Sequence, residues 1–285
     1  MYSLKIQNAN GDIFELSHNT QNYAIIGVTG LTPPATAINT ATAGIIDGTF
    51  FNSARVNQRN IVITVVLNGD IEANRQRLYK IFPRKVPCTI YFKNANRDVK
   101  IIGYVETLDG DLFSMREQMQ ISIICPRPYF EDLNTIYTEL SHVLRLFEFP
   151  FAIEKTPGVP VSEIVENPLC TIINDGDAPA GCVISISISG AVEGLKIINS
   201  TQQTFFGFDY TFAAGDEIEL NTSSGAMGVT LKRNGETTNL LNYVSAGSTW
   251  FRLSLGANVF TFTLTSGDVA SVVAIFATTN LYGGV

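Results

Sequence analysis

Apolar and polar residues alternate along much of the chain, a pattern that predicts β-strands rather than helices. Segment 2–16 predicts a hairpin, because Asn10-Gly11-Asp12 separates two short apolar runs and Asn-Gly favours a tight turn. Further strands are predicted where apolar side chains recur at every second position or run almost unbroken, at 60–67, 88–93, 98–107 and 117–125. The first half of the chain is therefore expected to fold around a sheet.

Two segments of the first half depart from this alternation. Asn68-Gly69-Asp70 precedes apolar residues at helical spacing and predicts a short helix that ends before Pro83. Residues 27–57 are rich in Gly, Thr, Ala, Pro and Asn and predict a long loop or an extended arm. A loop of that length has no core of its own, so it is expected to serve a function or to become ordered on a partner.

The second half shows a regular β pattern from Cys170 onward. Isoleucines alternate with serines over 184–189, phenylalanines alternate with threonines over 260–265, and turn signals recur between such runs. We therefore predict a mainly β protein of two β-sandwich domains, the first with one short helix and a long arm or loop. The predicted domains are 1–131 and 170–285, joined by a connector over 132–169 in which 132–146 has the pattern of a possible second helix.

Composition limits the partners that this protein can have. The net charge of −7 and the absence of clustered Lys and Arg argue against tight binding of nucleic acid. No apolar run approaches the roughly 20 residues needed to span a bilayer, and the amino terminus shows no secretory signal, so synthesis in the cytoplasm is expected. The four cysteines are expected to be reduced core residues, because none forms a C-x-x-C pair.

Candidate catalytic chemistry is sparse. The chain has two histidines, His18 and His142, and neither stands at metal-ligand spacing or near a serine nucleophile motif. We therefore expect no catalytic residue, no metal and no cofactor. Asp209 and Glu217 keep open a glycosidase, in which two carboxylates act as acid and base. Tyr243 and Trp250 are candidate sugar contacts, although aromatic residues on strands are more often packed in a core.

The order of several short motifs resembles one family. In the first half the motifs are Ile46-Asp47-Gly48-Thr49-Phe50, the stretch 53–63 and Cys125-Pro126-Arg127-Pro128-Tyr129-Phe130. In the second half they are 174–181, Ala214-Gly215-Asp216, 240–243 and 248–251. Together they resemble the distal tail protein family of siphophages, which are long-tailed phages with non-contractile tails. The resemblance covers nearly the whole chain.

The resemblance implies a hub at the tip of a phage tail. The amino-terminal domain would close into a homo-hexameric ring through which DNA passes, and the second domain would be a galectin-like or carbohydrate-module-like sandwich. The ring would join the tail tube protein to the tail-associated fibre or lysin protein, and receptor-binding proteins would attach at its periphery. A lumen lined by acidic or neutral side chains would let DNA slide. The same interpretation admits prophage-derived and contractile-tail relatives.

Contacts between ring subunits are expected around the arm. The candidate interface residues are Asp47, Phe50, Asn52, Arg55, Asn57, Arg59 and Asn60. Satisfied hydrogen bonds at such a contact would contribute about 1 kcal/mol each, and an ordinary solvated loop is the alternative interpretation. For the whole protein, the main alternative to a hub is a carbohydrate-binding module that recognises host cell-wall polysaccharide.

Overall fold

Strands dominate the computed structural model, which describes residues 2–16, 22–42, 44, 47–112, 114, 116–141, 143–145, 162–164 and 168–285. The chain divides into two units: Met1–Leu133 with Leu281–Val285, and Asn134–Asn280. The mainly β fold predicted from the sequence is confirmed.

The described residues of the first unit form ten strands before the chain leaves it. They are β1 Ser3–Gln7, β2 Ile13–Leu16, β3 Tyr23–Thr29, β4 Thr36–Ala41, β5 Phe50–Val56, β6 Arg59–Leu67, β7 Pro87–Lys93, β8 Asp98–Gly110, β9 Gln118–Cys125 and β10 Phe130–Asp132. The sheet has the order β2-β1-β7-β8-β9-β6-β3, with β10 also paired to β8. Alternate residues of β6, including Ile61, Ile63 and Val65, are fully buried in its core.

The predicted helix is present as α1, Ile71–Ile81. Asp70 caps it, because the side-chain oxygen accepts a hydrogen bond of 3.1 Å from the backbone N–H of Ala73. Leu78 and Ile81 are buried in the core of the first unit.

The second unit is built almost wholly from short antiparallel strands. They are β11 Ile136–Ser141, β12 Val143–Arg145, β13 Ser162–Ile164, β14 Cys170–Asn174, β15 Cys182–Ile188, β16 Val192–Glu193, β17 Lys196–Asn199, β18 Thr204–Gly207, β19 Thr211–Phe212, β20 Glu217–Asn221, β21 Gly228–Arg233, β22 Glu236–Asn239, β23 Gly256–Thr263, β24 Ser266–Gly267 and β25 Val272–Thr278. Two 3₁₀ turns, Leu241–Tyr243 and Val269–Ser271, complete the described part of the unit.

Two main sheets enclose the core of the second unit. One has the order β11-β25-β15-β20-β21-β22 and the other β14-β23-β17-β18. Ile184 and Ile186 from the first sheet and Phe260 and Phe262 from the second belong to one buried cluster, while Ser185 and Ser187 face outward. The smaller sheets are β19-β16-β24 and the pair β12-β13.

The chain passes between the units twice. After β25 the last strand, β26 Leu281–Tyr282, pairs with β10 of the first unit, and β11 pairs with β25 of the second. The units therefore differ from the predicted boundaries 1–131, 132–169 and 170–285. The possible helix over 132–146 is wrong where the structure describes that segment, because 136–141 and 143–145 are strands. Backbone pairing with β25 decides the conformation of β11, and it is a long-range contact that local sequence does not reveal.

Candidate interaction site

The predicted loop or arm contains an ordered hairpin. Strands β4 and β5 pair antiparallel with each other and, among the described residues, with no other strand. Every residue of these two strands is exposed except Val56, which is half-buried. Six to seven residues in extended conformation reach about 20 Å. We call these two strands, residues 36–41 and 50–56, the hairpin arm.

A register shift divides the side chains of the hairpin arm into two different faces. Thr40 pairs with Phe51 and Asn39 with Ser53, so Asn52 is the extra residue of a bulge. One face carries only uncharged side chains, and we call it the neutral face: Thr36, Ile38, Thr40, Phe51, Ala54 and Val56. The opposite face carries Phe50 and Arg55. Ile38, Phe50 and Phe51 are 64%, 56% and 67% exposed.

A buried arginine fixes the base of the hairpin arm. Arg59 is 2% exposed, and its guanidinium lies 4.5 Å from the ring centroid of Phe130. Its Nη1 donates to the carbonyls of Gly30 and Thr32, where the chain enters the arm. Its Nε and Nη2 donate to the carbonyls of Pro128 and Gly283. One side chain therefore ties the arm's base to the segments before β10 and after β26.

This burial argues against a contribution of Arg59 to a contact between subunits. All its donors in these bonds serve carbonyls of its own chain, and burial lowers the pKa of its guanidinium, which still stays protonated at neutral pH. Gly30 is needed beside it, because its φ is +83° and a Cβ there would lie 2.0 Å from the backbone oxygen of Asn60.

The other candidate interface residues lie on or beside the arm. Asp47, Phe50, Asn52 and Arg55 are exposed. At the base, the backbone N–H of Asn57 donates to the carbonyl of Ala35 at 3.0 Å. Asn60 is exposed and accepts a hydrogen bond of 3.0 Å from Ser122. The first four side chains are exposed to solvent. Asn57 and Asn60, by contrast, form hydrogen bonds within the first unit.

An apolar groove in the first unit is a feature that sequence reasoning missed. Its volume is about 360 Å³, and its lining residues are Tyr2, Ser3, Leu4, Leu16, Ile25, Ile26, Gly27, Val28, Leu31, Phe92 and Val285. These residues come mainly from β1, β2, β3 and β7. The groove is therefore bounded by β2 and β3, the two end strands of the sheet, which do not pair with each other in the described structure. We call it the seam groove. No short motif marks it, because it is assembled from distant strands.

The two candidate sugar contacts have different environments. Tyr243 is 46% exposed and its ring meets the edge of Tyr210 at a centroid distance of 4.9 Å. Trp250 is half-buried and packs 4.8 Å from Phe206 against the core of the second unit. Exposed aromatic surface suited to a sugar ring is therefore found at Tyr243 rather than at Trp250.

The residues considered for catalysis are engaged elsewhere or lie outside the described residues. Asp209 accepts a hydrogen bond of 2.6 Å from Ser245, whereas the exposed Glu217 pairs with Lys232 at 3.1 Å. His18 and His142 belong to the segments that the structure does not describe. Within the described part of the chain, no cluster of three His, Cys, Asp or Glu side chains is placed to hold a metal ion. Nor does any helix described there have the length and apolar character to cross a membrane.

The cysteines are free and buried, as expected from their spacing. Burial raises the pKa of the Cys88 and Cys182 thiols to about 11 and that of the Cys125 and Cys170 thiols to about 12. Because the thiolate is the reactive species, these thiols are inert at neutral pH.

Comparison with known proteins identifies the class of the second unit. Residues 175–278 match the family described as "Siphovirus-type tail component, C-terminal domain". The structure of the chain is similar to the crystal structure of the SPP1 Dit (gp 19.1) protein, described as a paradigm of the hub adsorption apparatus in phages that infect Gram-positive bacteria. The identity is 13%, the TM-score is 0.70, and the similarity covers 98% of each chain.

Chains of the phage P2 baseplate in its activated conformation are also similar. The form with Ca has a TM-score of 0.53 at 11% identity, and the form with Sr has 0.51 at 10%, each covering 98% of both chains. No curated protein matches the sequence. The resemblance to the distal tail protein family, inferred above from short motifs, is confirmed by the family match and by the shared fold.

Proposed function

We infer that this chain is a structural hub protein at the distal end of a phage or prophage tail, where a ring of its copies joins the tail tube to the host-adsorption apparatus. The observation that carries this inference is the likeness to the SPP1 Dit hub, which extends over 98% of each chain and so includes both units. The match of residues 175–278 to a siphovirus tail component supports it independently.

The exposed hairpin arm suits such a role. An isolated two-stranded hairpin is marginally stable in water, and a sheet with open edges gains by pairing or by being covered. Head-to-tail association covers the arm of each copy and closes without a free end. We propose a hexameric ring with the tail tube protein on one side and the tail-associated fibre or lysin protein on the other. Receptor-binding proteins attach at its periphery, and DNA passes through its lumen.

The protein acts by holding and aligning its neighbours and performs no chemical step. Its acidic balance, with a net charge of −7, disfavours retention of DNA by phosphate contacts in the lumen. It resides at the tip of the virion tail after synthesis in the host bacterial cytoplasm.

Imaging and mass measurement test the proposal. The purified chain, alone and co-expressed with the tail tube protein of the same phage, is examined by mass photometry and negative-stain microscopy. We expect ring-shaped particles of about six copies, at least when the tube protein is present. Monomers under both conditions, with no binding to the tube protein, would contradict the hub.

A carbohydrate-binding role of the second unit is a second candidate, favoured by the exposed ring of Tyr243. Titration of cell-wall polysaccharide fragments against the full chain and against Tyr243→Ala tests it. Loss of binding in the variant supports a sugar contact at Tyr243. Equal binding by both proteins, or no binding by either, rules that contact out. Leu241→Ala is the matched control, since Leu241 is equally exposed at 47% in the same 3₁₀ turn.

A further inference from the structure

Helix α1 and the turn after it concentrate positive charge. Residues 71–85 carry five basic side chains and one acidic side chain, Glu72, so their net charge is +4. The remaining residues carry −11, which gives the total of −7. The five basic residues are Arg75, Arg77, Lys80, Arg84 and Lys85. This segment is therefore an exception to the scattered Lys and Arg of the rest of the chain.

Four of these five cations have no partner of opposite charge. Arg75 pairs with Glu72 and lies 3.3 Å from a carboxylate oxygen of Glu117. The other four are exposed, and none of them forms an ion pair with a residue that the structure describes. We call these four side chains the basic surface: Arg77, Lys80, Arg84 and Lys85.

Helix geometry brings the basic surface together. Arg77 and Lys80 are three positions apart on α1, and residues at that spacing are neighbours on a helix surface, with Cβ atoms about 5–6 Å apart. The helix ends at Ile81, and Arg84 and Lys85 follow before β7 begins at Pro87. All four cations therefore stand at the carboxyl end of α1.

The helix dipole does not account for this arrangement. Its stabilising effect on cations is confined to the last turn, and among the four only Lys80 lies in that turn. Like charges at neighbouring positions repel one another, so the cluster disfavours the free protein. An anionic partner that neutralises the four charges removes this repulsion.

The surroundings of the basic surface favour a protein as that partner. Tyr79 stands beside Lys80 and is 42% exposed. Exposed Tyr and Arg side chains together are typical of the residues that dominate binding at protein interfaces. DNA is disfavoured, because four phosphate contacts give only weak binding at physiological salt and the remaining −11 of the chain repels phosphates.

We propose that the basic surface at the end of α1, with Tyr79 beside it, binds an acidic surface of a neighbouring tail protein that is not a copy of this chain. The proposal rests on the proposed function, which supplies the neighbours: the tail tube protein and the tail-associated fibre or lysin protein. Because the rest of the chain is acidic, an acidic neighbour is attracted to this surface and repelled elsewhere. The charge pattern therefore also fixes the orientation in which the neighbour docks.

Charge reversal tests the docking. The site variant combines Lys80→Glu with Arg84→Glu, and the control variant combines Arg127→Glu with Arg252→Glu at exposed positions elsewhere, so both lower the net charge equally. Binding of each full chain to the two neighbours from the same phage is measured by biolayer interferometry at several salt concentrations. We expect the site variant to bind one neighbour at least about tenfold more weakly than the control variant does, and with a smaller dependence on salt.

A tyrosine pair separates a protein contact from simple attraction of charge. Tyr79→Ala should weaken binding of the same neighbour by at least about fivefold while leaving its salt dependence unchanged, since no charge is removed. Tyr104→Ala on β8 is the matched control, because Tyr104 is also 42% exposed, and it should leave the binding unchanged. Equal effects of the two substitutions would exclude Tyr79 from the contact and overturn this part of the proposal.

The remaining outcomes distinguish the docking from the hub. If the site and control variants bind both neighbours equally well, the docking is overturned and the hub stays intact, because the neighbours still bind. If the wild type binds neither neighbour, the hub and the docking both fall. A short DNA duplex is the third probe. Binding of the duplex that the site variant loses, with binding of both neighbours unaffected, identifies a nucleic-acid surface and overturns the proposal.

Discussion

Arg59 organises the first unit from inside. A guanidinium presents five N–H donors in a fixed plane, and here three of its nitrogens reach four backbone carbonyls. Those carbonyls belong to residues just outside the strands of the sheet. Arg59 therefore supplies the hydrogen bonds that pairing between strands does not supply there. Its packing on Phe130 adds a cation–π contact.

Replacing Arg59 is expected to loosen the first unit. Arg59→Met leaves the carbonyls of Gly30, Thr32, Pro128 and Gly283 without these donors; the bond to Gly283 is buried and the other three are partly buried. An unsatisfied acceptor that stays out of water costs about 1–3 kcal/mol. We expect the opening free energy of the first unit to fall by at least about 3 kcal/mol, measured by hydrogen exchange with mass spectrometry. Arg59→Lys should recover only part of this, since an ammonium lacks the planar fork.

Arg127→Met serves as the matched control, because Arg127 is 54% exposed and its nearest carboxylate oxygen, on Glu131, is 3.9 Å away. We expect that substitution to change the opening free energy of the first unit by less than about 0.5 kcal/mol. Equal effects of the two substitutions would show that Arg59 is not a structural node.

The role of Arg59 is not predictable from the sequence. Its carbonyl partners lie 27, 29, 69 and 224 positions away, and the local motif shows only a charged residue at the start of an apolar run. A charge in a polar segment is ordinarily exposed, so the sequence favours a surface role. The burial of Phe130 and the cysteines follows from composition, but the placement of Arg59 requires the complete fold.

A carboxylate in the second unit couples stability to pH. The Asp216 side chain is 1% exposed and receives two bonds from Arg233, of 2.6 Å to Oδ1 and 2.5 Å to Oδ2. The hydrogen bond from Arg233 is the largest cause that lowers the pKa of Asp216, and the backbone N–H of Ala213 adds to it. A lowered pKa in the folded state stabilises the fold above the unfolded-state pKa of about 3.9 and loses that stabilisation as pH falls.

Wild type and Asp216→Asn should therefore converge in acid. We expect the wild type to be the more stable at pH 7 and the difference in midpoint temperature to shrink as the pH falls below about 4. Thermal unfolding of both proteins between about pH 7 and about pH 2.5 measures it. Glu217→Gln, at an exposed pair with Lys232, is the control and should give a small difference throughout. A constant gap between wild type and Asp216→Asn would refute the linkage.

At the scale of elements, local signals decide which predictions succeed. The helix α1 is predictable because Asp70, the apolar spacing and Pro83 all lie within one short segment. The paired strands of the hairpin arm are not, because neither strand buries one face and the alternation that marks a strand is absent. The strand β11 is hidden for a related reason: its pairing with β25 is formed across more than 130 residues.

The base of the hairpin arm depends on one glycine. Gly30→Ala introduces a Cβ that would lie 2.0 Å from the carbonyl oxygen of Asn60, at a φ of +83° that L-residues disfavour. We expect it to destabilise the first unit by about 2 kcal/mol or more and to raise hydrogen exchange in the arm. Gly27→Ala is the control, since nothing lies within 4 Å of the position that its Cβ would take. Equal exchange in the two variants would contradict this account.

At the scale of the molecule, the last residues of the chain stabilise the first unit. Tyr282 pairs in register with Phe130, donates a hydrogen bond of 3.1 Å from its hydroxyl to Asp132, and lies under the guanidinium of Arg97 at 4.2 Å. Val285 donates its backbone N–H to the carbonyl of Leu31 at 3.1 Å. Residues that follow the second unit in sequence thus complete the core of the first.

Substituting Tyr282 should affect only one unit. We expect Tyr282→Ala to lower the opening free energy of the first unit by about 2–4 kcal/mol through lost packing and the lost hydroxyl bond, and to leave the second unit unchanged. Hydrogen exchange resolved by peptide separates the two. Tyr137→Ala, at a residue 72% exposed on β11, should change neither. Loss of protection from hydrogen exchange in the second unit instead would contradict the assignment of Leu281–Val285 to the first unit.

The chain leaves the first unit after β10 and returns to it at β26, so in sequence the second unit is a domain inserted into the first. On one side of the passage Phe130 pairs with Tyr282, and on the other Ile136 pairs with Thr278, so the incoming and outgoing chains are about 5 Å apart at both pairs. A foreign domain whose ends lie equally close can replace residues 134–280 without disturbing the strands around it. Evolution can thus exchange the second unit while keeping the first.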